Sequence, residues 1–294
     1  MEPKKNQRMD AFNKIRGFCR EFFLTIIRLN DALVNGGRRN QWGERVFAKL
    51  RRDGFMPTIL TVARIPFTLK YRVAYRKMLK RDTLQQRFRE IYEKNFWGSS
   101  ESGSGEGSEL EYTERLRSWL GEALPKYGIK KVVDAACGDF NWMRMVIPEV
   151  DADYYGFDIV ESVVQNNNRK YAGGRVNFEV LNICEDKLPD CDLLVVRDCL
   201  FHFSNHEINK FIQNIRSVNY KYLLTTTHIV DEKFINKDIV TGDFRIIDLF
   251  KKPFFFEKKS VIEWVDDYPV GYPIPRQMVM IAKPDVPKMI KISI

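Results

Sequence analysis

The stretch Lys131-Val-Val-Asp134-Ala-Ala136-Cys-Gly138-Asp-Phe-Asn141-Trp142 limits what this chain can fold into more than any other. An apolar run that stops at a carboxylate and then passes through alanine and glycine reads as a buried parallel strand, a tight turn and a helix. Small residues in such a turn let backbone N–H groups approach a ligand closely, at the place where open α/β sheets bind nucleotides. Twenty-four residues after Asp134, the run Tyr154-Tyr-Gly-Phe-Asp158 again ends in a carboxylate. That spacing suits an acid on the neighbouring strand that holds ribose hydroxyls.

From residue 130 onward the pattern alternates. Strands are expected near 130–135, 154–158, 176–181, 192–197 and 220–227, with helical patterns at Trp142 to Ile147, Ile159 to Tyr171 and His206 to Val218 between them. Alternation of this kind means a parallel sheet with helices on both faces. Two later runs, Val261 to Val265 and Gln277 to Lys283, flank a turn-rich stretch and suit an antiparallel hairpin that closes the sheet. The expected fold class is therefore α/β and Rossmann-like, with five parallel strands, a C-terminal antiparallel hairpin and a basic helical N-terminal extension. Phe254-Phe-Phe256 and Trp264 read as core.

Charge divides the chain. Residues 1–94 hold 23 Lys/Arg against 9 Asp/Glu, whereas residues 95–294 hold 25 against 30, so a basic extension precedes a mildly acidic body. Phe12, Ile15, Phe18 or Cys19, Phe22, Ile26, Leu29 and Leu33 recur at three- and four-residue steps over 11–34, an amphipathic helix ended by Asn35-Gly-Gly37. Its basic face suits either an anionic membrane surface or plain solvent. Arg64 to Arg89, with Pro66 near its start, reads as one or two further helices. The N-terminus lacks an apolar segment before a small-residue cleavage site, and no apolar run approaches the roughly 20 residues of a membrane span. The expected location is cytoplasmic, with peripheral membrane contact through residues 1–94. The five cysteines form no Cys-x-x-Cys pair and read as buried thiols; the three histidines are too scattered for a metal cluster.

Trp97-Gly-Ser-Ser-Glu101-Ser-Gly-Ser104-Gly-Glu106-Gly-Ser108 has the composition of a flexible linker. Trp97 and the interleaved glutamates argue instead for an ordered loop over a ligand. A helix pattern (Leu110, Thr113, Leu116, Leu120) follows, with Ser108 as its expected N-cap.

These features together resemble the class I S-adenosylmethionine-dependent methyltransferases. More narrowly, Trp97 to Ser108, Asp134 to Trp142, Arg197-Asp-Cys-Leu-Phe-His202, Leu224-Thr-Thr-Thr227 and Thr241-Gly-Asp-Phe-Arg245 resemble a group of uncharacterised methyltransferases related to glycan-modifying domains. The resemblance covers residues 90–283. It implies S-adenosylmethionine as the methyl donor. Trp97 and Ser104 would cover it, Asp134 would begin the glycine-rich motif, and the backbone around Ala136 and Gly138 would face its amino-acid end. Asp158 would take the ribose hydroxyls and Asn182 and Ile183 the adenine, with Asn141, Trp142, Ile159 and Arg197 as further donor-binding residues. Ala136 and Phe140 replace the first and third glycines of the family's motif, and Asn182 replaces its usual acid. The Gly-x-Gly-x-x-Gly turn of nicotinamide enzymes and the Gly-x-x-x-x-Gly-Lys-Ser/Thr phosphate loop are both absent.

Methyl transfer to a hydroxyl needs alignment, desolvation and a base. His202, just after the fourth strand, is the first candidate for that base, with packing under the next helix as the alternative reading. Asp198 either orients that imidazole, contacts substrate or simply pairs with Arg197, and His228, at the end of the fifth strand, is the second candidate base. Asn236 to Arg245 reads as a polar lid whose Asn, Asp and Arg suit sugars or anions, or as ordinary turn chemistry. No metal is expected; Asp198 and Asp231 would be its available oxygens. The leading expectation is O-methylation of a sugar, glycan or glycolipid. RNA methylation through the basic extension and a degenerate binding module are the alternatives.

Overall fold

The computed structural model of the chain describes residues 65–269 and 275–290. The amphipathic helix expected over 11–34 lies outside the described residues. The chain divides into two compact units, Met1–Val73 and Ala74–Ile294.

The described elements begin with α1 (Ile65–Met78) and α2 (Leu84–Glu93), the latter capped by Thr83 Oγ1, which accepts from Gln86 N. α3 (Glu114–Lys126) starts later than expected, and Ser108 is not its cap: Ser108 closes a 3-10 turn, Glu106–Ser108. Then follow β1 (Lys131–Ala135), β2 (Asp153–Asp158), α4 (Glu161–Tyr171), β3 (Val176–Val180), β4 (Leu193–Val196) and α5 (Asn205–Ile215). β5 (Tyr222–His228), β6 (Val261–Asp266) and β7 (Arg276–Ala282) complete the sheet. In place of the helix expected at Trp142 to Ile147 stand two 3-10 turns, Met143–Met145 and Ile147–Glu149. Pro148 has no N–H to donate back to Arg144 O, so no α-helix runs through it, and the segment buries Met143, Val146 and Ile147 in two 3-10 turns instead.

The seven strands lie in the order β3-β2-β1-β4-β5-β7-β6. The first five are parallel, and β7 runs antiparallel to both β5 and β6. β4 is Leu-Leu-Val-Val and wholly buried, as a central parallel strand covered on both faces must be. Because side chains alternate along a strand, Val133, Leu194, Leu223 and Ile281 join one core cluster, and Val132, Val195, Leu224 and Met280 the other. α5 covers the first cluster with Ile208, Phe211, Ile212 and Ile215, all fully buried. At roughly 1.5–3 kcal/mol per such side chain, this stripe anchors the helix. Phe254 and Phe256 are core as expected, but Phe255 is partly exposed and Trp264 lies open at 43%, its ring tilted against Phe250.

Strand order reverses between β1 and β4. Connections leave in opposite directions there, so the ends of the two strands open a crevice.

Candidate functional site

That crevice is a cleft of about 270 Å3. The carboxyl ends of β1, β2 and β4 form its floor through Asp134, Ala136, Gly138, Asp158, Arg197 and Asp198. The Gly/Ser loop covers it with Trp97, Ser104 and Gly107. Ile159, Asn182 and Ile183 line one end, and His202, Phe203 and Phe244 also face in.

The turn after β1 explains how alanine and phenylalanine stand where glycines were expected. Ala136 has φ of 75° and Phe140 of 59°, alongside Gly138 at 57°. The backbone keeps the left-handed shape at all three positions, although a side chain there costs roughly 1–2 kcal/mol. Ala136 N and Cys137 N both donate to Phe157 O, which locks the turn to β2. At Gly138 a Cβ would lie 2.1 Å from Ser104 Oγ and 3.0 Å from Tyr92 Oη, so only glycine lets the covering loop seat this closely.

The loop is held by its own serines. Asp139 accepts from Ser102 Oγ at 2.9 Å, Gly103 N at 2.8 Å and Ser104 Oγ at 3.1 Å. Tyr92 Oη and Ser104 Oγ are also hydrogen-bonded. Asn141, expected at the ligand, does not line the cleft. Its Nδ2 instead donates to Glu101 Oε1 and Ser108 O, bracing the loop from outside.

Two carboxylates sit in the floor with little water. Burial pushes Asp134 up to about 7, although Tyr154 Oη donates to it at 2.8 Å and the Arg197 charge also favours its ionised form. Burial likewise pushes Asp158 up to about 6 against bonds accepted from Gly138 N (3.1 Å) and Val160 N (2.9 Å). A cationic ligand with hydroxyls fits this donor set: it would add positive charge beside two acids whose ionised form burial disfavours. Asn182 is partly committed, since its Oδ1 accepts from Cys184 N at 3.0 Å.

Arg197 and Asp198 are not free to act on a ligand alone. Arg197 Nε and Nη2 donate to Asp267 at 2.8 and 3.0 Å, and Nη2 also to Gly107 O at 2.7 Å, tying the covering loop to β4. Asp198 pairs with Arg197 at 3.3 Å and with Arg276 at 2.5 Å, and accepts from Thr226 Oγ1. Burial resists its charge, but the two guanidinium groups outweigh that and hold it below the usual carboxylate range. Asp198 pairs with Arg197 and Arg276 while still lining the cleft, and a backbone carbonyl rather than Asp198 orients His202.

His202 Nδ1 lies 2.8 Å from Asp243 O. A carbonyl only accepts, so Nδ1 carries the proton and Nε2 keeps its lone pair. Burial lowers the imidazole pKa, and the Asp243 bond opposes that only in part. The ring lies among Trp97 (5.5 Å between centroids), Phe201 (4.6 Å) and Phe244 (5.9 Å). His228 does not line the cleft. It is buried at 4%, its Nδ1 lies 3.2 Å from Ile247 N and 3.3 Å from Ile247 O, and burial lowers it to about 4; its place away from the cleft is what separates it from His202.

The segment 236–245 supplies Phe244 to the cleft, but its polar groups are spent internally. Arg245 donates to Asn205 Oδ1, Lys237 O and Phe203 O, and Asn236 to Asp248 O and Lys252 O. Asp231 accepts from Lys233 N at 2.8 Å, well apart in role from the Asp198 cluster. Sequence reading missed Leu84, Phe88 and Tyr92 of α2 and Arg276 of β7, all of which line the cleft. The signal for the three α2 residues was aromatic and apolar positions at helical spacing in a segment weighed by its charge; Arg276, in a strand at the sheet's far side, had none.

Residues 132–220 match the family described as a methyltransferase domain. No curated protein matches the chain. Among solved structures it is similar to the magnesium protoporphyrin IX methyltransferase of Synechocystis PCC 6803, at 14% identity over 76% of this chain and 98% of that one, with a TM-score of 0.43. A Leishmania major S-adenosylmethionine-dependent methyltransferase shares 15% identity over 71% and 82% of the two chains, with a TM-score of 0.45. The mitomycin 7-O-methyltransferase shares 14% over 56% and 53%, with a TM-score of 0.42, so the chain spans about half the length of that relative.

Proposed function

We propose that this chain, whose residues 132–220 match a methyltransferase domain, is a class I S-adenosylmethionine-dependent methyltransferase that passes the methyl group to a hydroxyl oxygen of a sugar or glycan, with His202 as general base. The carrying observation is the imidazole at the cleft wall with Nδ1 committed to Asp243 O, which leaves Nε2 as the nitrogen that takes a proton.

The donor supplies an activated methyl group on a positively charged sulfur. The chain's own residues do the rest. Asp134 and Asp158 provide the negative charge at the ends of β1 and β2 that a cation and its ribose hydroxyls require. The Gly/Ser loop, pinned by Asp139, excludes water from the reacting centre. His202 Nε2 accepts the hydroxyl proton as the oxygen attacks, and the depressed pKa keeps the imidazole neutral and ready at pH 7. Aromatic side chains around it, Trp97 and the half-exposed Phe244, offer flat faces against which the C–H face of a sugar ring packs.

The test supplies tritiated S-adenosylmethionine and a panel of glycosides and glycolipids. Label should enter an alkali-stable methyl ether, and His202→Gln should lower its rate by roughly 100- to 10,000-fold while leaving donor affinity within about twofold. Label found only in added RNA, or full turnover by His202→Gln, would refute the reading.

A further inference from the structure

His202 owes its orientation to a peptide outside its own element, and that peptide is itself held from α1. Asp243 O receives the imidazole Nδ1–H. The N–H of the same peptide, that of Phe244, donates to Asp243 Oδ1 at 2.8 Å. Tyr75 Oη lies 3.3 Å from that same Oδ1 and donates to Gly242 O at 2.9 Å, so one hydroxyl contacts the Gly242–Asp243 peptide directly and the Asp243–Phe244 peptide through the Asp243 carboxylate. Gly242 N closes the ring by donating to His202 O at 2.8 Å. Arg87 Nη1 on α2 donates to Thr241 O at 3.1 Å, one residue further back.

Close packing accompanies these bonds. Gly242 has φ of 102°, and a Cβ there would lie 3.4 Å from Leu79 Cδ2 and 3.6 Å from Met78 Sδ. The end of α1 therefore rests against the turn that aims the carbonyl.

We propose that Tyr75 is a positioning residue for His202: its hydroxyl fixes the Gly242-Asp243-Phe244 backbone so that the Asp243 carbonyl selects the Nδ1–H tautomer and leaves Nε2 facing the cleft. This rests on His202 being the base, as proposed above, but its geometry is measured without any substrate. Free imidazole side chains exchange between two neutral tautomers, and the one present is set by the bond the other nitrogen makes. Loss of a single net hydrogen bond of about 0.5–1.5 kcal/mol changes such a ratio by roughly two- to tenfold.

The chain has three histidines, so a long-range proton–nitrogen spectrum of the full-length, 15N-histidine-labelled protein resolves each ring. Assignment follows from single His→Gln variants. At pH 7.5 His202 is expected as Nδ1–H. Tyr75→Phe should shift His202 two- to tenfold toward Nε2–H and leave His228 unchanged, while Lys77→Ala, on the exposed side of α1, should change nothing. Should Tyr75→Phe lower the melting temperature enough to blur the spectrum, Arg87→Gln, which frees Thr241 O, carries the same comparison. A wild-type His202 in the Nε2–H form, or a His202 spectrum identical in the Tyr75 and Lys77 variants, overturns the proposal. Methyl transfer by His202→Gln is a separate reading: turnover there removes the base and not the tautomer control.

Discussion

The two raised carboxylates of the cleft floor make donor affinity a function of pH, and the size of the effect follows from their values. Asp134 titrates at about 7 and Asp158 at about 6 in the free protein. If both must be charged to hold a cationic ligand, each protonated fraction is lost to binding. Linkage then weakens affinity roughly 20-fold between pH 8 and pH 6, and binding at pH 6.5 releases about one proton. Calorimetry with S-adenosylmethionine in two buffers of different ionisation enthalpy reads both quantities. Asp134→Asn should flatten the profile to the roughly twofold change that Asp158 alone supplies over this range. The sign for folding is the reverse of the ordinary carboxylate case. Between the unfolded value of 3.8 and the raised value, the folded chain holds more protons than the unfolded one. Stability of the ligand-free protein therefore falls as pH rises through that window. An affinity that is level from pH 6 to pH 8, with no proton released, would refute this account of the floor.

Other substitutions probe the covering loop and the turn beneath it. Gly138→Ala places a Cβ 2.1 Å from Ser104 Oγ, so S-adenosylhomocysteine affinity should fall at least tenfold by calorimetry, with a modest drop in melting temperature. Ala136→Gly removes a side chain at φ of 75° and should stabilise the protein by up to about 1 kcal/mol in urea melts, after the entropy that glycine adds to the unfolded chain. Asp139→Ala deprives three donors of the Gly/Ser loop of their acceptor, and limited proteolysis should then cut within 99–108 several-fold faster than in the wild type.

Much of the sheet was legible because its strands are short apolar runs ended by polar or turn residues, and the five parallel strands and the hairpin lie within two residues of their expected places. The floor of the cleft was legible for the same reason: a residue that ends a parallel strand has one place to go. What failed depended on partners distant in the chain. Asp198 and Arg197 meet Arg276 and Asp267 only after β7 folds back beside β5. His228 looks like His202 in sequence, yet it is sealed under Ile247. α2 was counted with the extension because charge swamps its inner face, where Phe88 and Tyr92 stand one helical turn apart. The helix expected after Trp142 was a local error, and Pro148 was the overlooked sign.

The cluster of Arg197, Asp198, Asp267 and Arg276 joins residues from both halves of the sheet, and its two acids balance its two bases. Asp267 is fully sealed and comes from the far edge, just beyond β6. Cutting the chain after β5 would leave Arg197 facing Asp198 with no second acid, and Gly107 O would lose the rigidly seated guanidinium that it leans on. The last two strands are thus a keystone for the roof of the cleft as well as an edge of the sheet, and a shortened version of this domain should lose its grip on the donor before it loses its helices.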